Sequence, residues 1–157
     1  MIGIFIFKPM LGSMGEMWSK KEIEKLKKSV LNYTIFFIIG TIVVAIIGRT
    51  IGISILALVY GVKLDEYKSI FTALLIFGGI SALNNYYSIV ITVIRKQKYL
   101  LVAYGIGLFL CLTITDYIVK NYKIVGAAWS YGIVMISMFV IMSIIIMSGI
   151  SKKKTSF

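Results

Sequence analysis

Residues 31–48 read LNYTIFFIIGTIVVAIIG, eighteen positions without one charged side chain. A membrane-crossing helix needs about 20 mostly apolar residues, with a working range of ~17–25. Three more stretches pass the same test: residues 69–94, 99–119 and 124–148. All are rich in Ile, Val, Leu and Phe, and none keeps the strict polar–apolar alternation of a membrane barrel strand. A helix satisfies its own backbone hydrogen bonds, as lipid requires. The expectation is an all-α chain, an integral membrane helical bundle with four transmembrane helices plus an N-terminal amphipathic helix. The spans at 69–94 and 124–148 are long enough to tilt or to begin outside the hydrocarbon.

Composition points the same way. Of 157 residues, 59% are hydrophobic and 15% charged, against ~45–50% apolar and ~25% charged in a soluble domain. There is no His and one Cys, Cys111. That excludes a His/Cys metal site and any triad built on His, so no metal, cofactor or catalytic residue is expected. The formal charge of +11 does not point to nucleic acid. The basic residues lie between apolar runs and do not interleave with aromatics as on a single-strand-binding face.

Those charges orient the spans. Counted by loop, twelve Lys and Arg fall on one side, before the first span, between the second and third, and after the fourth; five fall on the other. The positive-inside rule places the twelve in the cytoplasm, with both termini. Within the remainder of the first apolar region, Gly48-Arg49-Thr50-Ile51-Gly52 interrupts the run before it resumes at 53–60. Arg49 at mid-bilayer would cost ~2.5–3.5 kcal/mol even on the lenient insertion scale. It is therefore expected at a membrane face, with 53–60 a short interfacial or cavity-lining helix after a glycine bend.

Residues 1–30 read separately. Residues 1–7 are apolar but too short to cross alone, and fit the end of a preceding membrane helix. Ser19-Lys20-Lys21-Glu22 has the capping-box pattern, so a helix is expected from there. Ile23, Leu26 and Val30 share a face, which reads as an amphipathic helix on the cytoplasmic surface or as a plain linker helix. Residues 31–157 then form the four-span domain.

Acids are scarce inside the spans. Asp65 and Glu66 fall in a loop, Asp116 ends a span, and Glu16, Glu22 and Glu24 precede the first. With no carboxylate pair in the membrane, neither an intramembrane hydrolase nor a pump built on buried acids is expected, and the chain is read as no enzyme. The most polar span segment is Asn84-Asn85-Tyr86-Tyr87-Ser88. It can wall a water-filled cavity that touches a sugar or phosphate, or it can tie helices together. Asn84, Asn85, Tyr86 and Tyr87, with Arg49, are the substrate-cavity candidates. Arg49 and Asp116 fall on one side and can pair there or stay solvated. Gly78, Gly79, Ser81 and Ala82 read as helix-packing residues, and the methionines at 135, 138, 142 and 147 as core filler.

Three segments in order resemble one family. Lys8-Pro9-Met10-Leu11 precedes a lysine-rich stretch and a span. Ile55-Leu56-Ala57-Leu58-Val59-Tyr60-Gly61 is followed by Asp65-Glu66-Tyr67 and a long span. Tyr122-Lys123-Ile124-Val125-Gly126-Ala127-Ala128-Trp129-Ser130 runs from a short loop into a Gly-Ala-Ala helix start. This order resembles the C-terminal part of bacterial oligosaccharide flippases, of the superfamily that also holds multidrug exporters. Relatives often carry Pro after the first of these spans, where this chain has Gly52-Ile53-Ser54. The resemblance implies movement of an undecaprenyl-pyrophosphate-linked oligosaccharide across the bacterial cytoplasmic membrane, for surface polysaccharide, by two lobes rocking around a cavity. It implies as partners the bilayer, the lipid-linked oligosaccharide, and an N-terminal lobe or another membrane subunit. The family's pyrophosphate-holding basic residues lie largely in the part that the resemblance does not cover, so the resemblance assigns no substrate residue here. The competing readings are a fragment of a cation-coupled multidrug exporter and a small, non-transporting assembly subunit.

Overall fold

The computed structural model describes residues 2–61 and 67–155, and Asp65 and Glu66 lie outside the described residues. Its elements are α1 (Ile2–Ser19), α2 (Ile23–Ile47), a π-helical turn (Gly48–Gly52), α3 (Ile53–Tyr60), α4 (Lys68–Val93) and α5 (Gln97–Thr155). No strand occurs among the described residues. Among the described residues, three stretches are long and apolar enough to cross a membrane: Ile23–Val59, Lys68–Val93 and Gln97–Ile150. Side chains such as Phe36, Leu58, Leu101, Leu112 and Met147 are 70% exposed or more. So much bare apolar surface suits lipid rather than water, and the chain reads as a membrane protein.

α2 shows why its apolar run becomes a packed helix. Leu26, Val30, Thr34 and Ala45 are buried, Phe37 and Thr41 half-buried. Their spacing of three and four residues draws one stripe along the helix. That stripe meets α4 running the opposite way: Phe37 packs on Tyr86, Thr41 abuts Gly79, and Gly48 abuts Leu75. The glycines at 48 and 52 act by close approach, since a Cβ at either would stand 3.4 Å from the Phe71 ring. The expected glycine bend is absent. Ile47 and Ile53 are both αR, so the chain passes through the π turn as one continuous helix. Its 37 residues span ~55 Å at 1.5 Å per residue, well beyond a ~30 Å hydrocarbon core.

The expected helix start at Ser19 is also displaced. Ser19 ends α1, because Met14, Met17 and Trp18 of that helix pack into the core and hold it helical to that point. The Glu22 amide donates to the Met17 carbonyl at 2.9 Å and the Lys21 amide to Trp18 at 3.3 Å, with Lys21 at φ 61°. This is a Schellman turn with lysine at the usual glycine position. The same turn closes α4: Lys96 donates to Ile91 and Arg95 to Thr92, each at 3.0 Å, with Arg95 at φ 59°. A cation there complements the negative end of the helix dipole. Glu22 flanks α2 without a side-chain cap, and residues 23–30 are the first turns of α2, continuous with the apolar run.

α5 is two helices joined by a reversal rather than one straight rod. Lys123 has φ 49° and ψ −126°. A Cβ on Gly107 would lie 2.9 Å from Met138 Sδ, although 31 residues of straight helix would separate them by ~46 Å. The helix therefore folds back at Lys123 into two antiparallel arms, 97–122 and 124–155. The second arm runs alongside α4 in the same direction: Phe77 meets Gly132, Tyr87 stacks on Phe139, and Ile94 meets Gly149. The turns at 20–22 and 94–96 and the end of the second arm share one end of the bundle. The start of α4 and Lys123 share the other. Most of the core, from Leu26 and Val30 to Val90, Ile91, Met142 and Ile146, lies toward the first end.

Lys123 occupies the dihedral region that glycine favours at the first central position of a type II′ turn. Replacing it with glycine should stabilise the hairpin by ~1 kcal/mol. Reversible unfolding of Lys123→Gly in mixed micelles checks this, and an unchanged or lower stability would show that the turn stores no strain.

Candidate functional site

The polar segment of α4 splits between two faces. Asn84 is buried and its Nδ2 donates to the Met135 carbonyl at 3.0 Å, while its Oδ1 has no partner. Tyr86 is fully buried, with ring centroids 5.5 Å from Phe37, 5.8 Å from Tyr87 and 6.1 Å from Tyr33. Its hydroxyl also lacks a partner. Tyr87 stacks on Phe139 at 5.2 Å, and its Oη lies 3.4 Å from Thr34 Oγ1. Asn84, Tyr86 and Tyr87 thus tie α4 to α2 and to the second arm of α5. Asn85 alone points outward and is exposed.

Arg49 does not join them. It is exposed on the π turn, and lies 15 residues beyond Thr34 along the helix, ~22 Å away. Asp116 forms its ion pair with Lys120, one turn along its own helix, at 2.7 Å. Two other acids pair locally as well, Glu16 with Lys20 and Glu22 with Lys25. No group of three metal-ligating side chains occurs among the described residues.

Asn85 has company on its face. Gly78, Ser81, Asn85, Ser88 and Thr92 recur at spacings of three and four. At about 100° per residue they fall within an arc of about 80°. Gly78 and Asn85 are exposed and the other three half-exposed; a Cβ on Gly78 would meet nothing within 4 Å. The stripe covers ~21 Å of helix, about two-thirds of a hydrocarbon core. Polar and small side chains bare over that length are poor lipid-facing surface. They suit a watery cavity or a close helix neighbour. The sequence reading took Gly78 and Ser81 for packing residues. Gly79, read with them as a packing residue, does pack, against Thr41, whereas Gly78 meets no neighbour.

A second feature had no counterpart in the sequence reading. A lateral groove of about 590 Å³ opens between the start of α2 and the end of the second α5 arm. Val30, Leu31, Ile146, Met147 and Ile150 form its apolar wall. Thr34, Tyr87 and Ser143 bring hydroxyls into it, and Glu24 and Lys27 stand at its rim. Thr34 donates to the Val30 carbonyl at 2.8 Å and Ser143 to Phe139 at 2.7 Å. The groove joins residues more than a hundred positions apart, and each half alone reads as an ordinary helix face. Both surfaces set hydroxyl-bearing or amide-bearing residues beside apolar ones.

Comparison with protein families, with curated proteins and with solved structures finds no match to this chain.

Proposed function

We propose that the chain is part of a bacterial lipid-linked oligosaccharide flippase. It crosses the cytoplasmic membrane four times, each arm of α5 crossing once, with both termini on the lysine-rich cytoplasmic side. Its α4 forms part of the wall of the translocation cavity. The observation that carries this reading is the stripe Gly78–Ser81–Asn85–Ser88–Thr92, small and polar side chains left exposed or half-exposed along one face of α4. A sugar chain in transit needs hydrogen-bonding groups and water along its path, and such residues supply both without a charge to trap it. Moving the lipid breaks no covalent bond, so the cavity needs no acid–base pair.

Cysteine scanning tests it. In a Cys111→Ser background, Asn85→Cys and Ser81→Cys should react in intact membranes with a membrane-impermeant maleimide. Ile39→Cys and Leu112→Cys, on lipid-facing surface, should not. Undecaprenyl-pyrophosphate-linked oligosaccharide should slow the reaction at Asn85→Cys. An unreactive stripe would sink the cavity and favour a non-transporting assembly subunit, with the stripe packed on a partner helix. A reactive stripe indifferent to the glycolipid would keep the cavity and remove this substrate.

A further inference from the structure

The groove between α2 and the second α5 arm calls for an amphipathic occupant. Its volume of about 590 Å³ falls in the range of small-molecule sites, ~300–1,000 Å³. Its apolar wall runs for two helical turns, from Lys27 at the rim to Thr34 and Tyr87 at the floor. Leu31 and Met147 of its lining are exposed, so the groove is open at the bundle surface. A shallower depression beside it is lined by Glu24, Lys25, Lys27, Lys28 and Leu31.

Charge decides the headgroup. Lys25 is engaged by Glu22 at 3.0 Å. Lys27 and Lys28 pair with no acid among the described residues. Glu24 is the one acid among the residues lining the depression, against three lysines. The turns at this end add Lys20, Lys21, Arg95, Lys96 and Lys98. Lysine stems lie along apolar surface while their ammonium groups reach the interface. An acyl chain in the groove would therefore hold its phosphate against Lys27 and Lys28. A zwitterionic headgroup would bring a second cation into an already basic rim.

We infer that this groove is a specific site for an anionic phospholipid of the lysine-rich leaflet, with an acyl chain along Val30, Ile146 and Ile150 and its phosphate held by Lys27 and Lys28. The site is separate from the α4 stripe and does not depend on the flippase reading. It depends only on the chain lying in a bilayer.

Native mass spectrometry of the full chain, released from nanodiscs holding equal phosphatidylglycerol and phosphatidylcholine, tests it. The expected result is one retained phosphatidylglycerol per chain. Retention should fall roughly thirtyfold in the Lys27→Ala/Lys28→Ala double variant, as expected when two interfacial lysines are lost. It should fall likewise in Ser143→Phe, which fills the groove. Arg95→Ala/Lys98→Ala, at the same end but outside the groove, should retain the lipid. Equal retention of the two lipids would overturn the proposal, as would an equal loss in the Arg95/Lys98 variant. So would disulfide-linked dimers of Leu31→Cys in the Cys111→Ser background, since a second copy would then occupy the groove. The lysine variants alter only surface side chains, so they decide the matter even if Ser143→Phe does not fold.

Discussion

Gly126→Val should cost the chain about 3 kcal/mol and open the α5 hairpin, near the upper end of the cost of overpacking a close-packed site. Gly126 is buried three residues after the reversal at Lys123, and a Cβ there would meet the Ile118 carbonyl oxygen, with the Ile118 carbonyl carbon at 2.9 Å. The obstacle is backbone of the opposite arm, so relief requires the arms to part. Gly107 gives the contrast. There the added Cβ meets Met138 Sδ at 2.9 Å, the end of a flexible side chain that can swing away. Gly105 meets nothing within 4 Å, and Gly105→Ala should be neutral or gain up to ~1 kcal/mol from helix propensity. Unfolding in mixed micelles, followed by helical circular dichroism, ranks the three. If Gly126→Val matched Gly105→Ala, the arms could not be packed as closely as the structure places them.

The hairpin also shows where sequence reading succeeds. Apolar length separates 99–119 from 124–148, and the break between them coincides with the reversal at Lys123. Long apolar runs mark helices well, because lipid leaves the backbone few alternatives. Turn chemistry was read less well. Ser19-Lys20-Lys21-Glu22 matches a helix start by residue type, yet the chain uses it as a helix end, because core contacts of Met14 and Trp18 hold α1 helical up to Ser19. Glycines at 48 and 52 look like a bend in sequence, but their missing side chains serve the Phe71 ring. Within the candidate site, type and face came apart. The residues 84–87 are polar as a group, but only Asn85 lies on the uncovered side. Which face of a buried helix is covered depends on its neighbours, and a single sequence does not state them.

Tyr86 carries the largest expected loss. Tyr86→Ala should destabilise the chain by roughly 3–5 kcal/mol, the range for truncating a buried aromatic. The ring is fully buried and meets Tyr33, Phe37 and Tyr87, so it joins α2 to α4. In a bilayer the exposed state gains little from hydrating apolar groups, and the cost is chiefly lost packing around the void. Tyr86→Phe separates the ring from its hydroxyl. The Oη is buried without a hydrogen-bond partner, so its removal should be neutral or stabilise by up to ~1 kcal/mol. A loss above that in Tyr86→Phe would mean that the hydroxyl is satisfied by a bound water or an added helix. The pair also reaches the groove. Tyr87, the next residue, forms part of the groove floor and is held between Tyr86 and Phe139. Tyr86→Ala should therefore weaken lipid retention while Tyr86→Phe preserves it, because it is the ring, not the hydroxyl, that keeps Tyr87 in place.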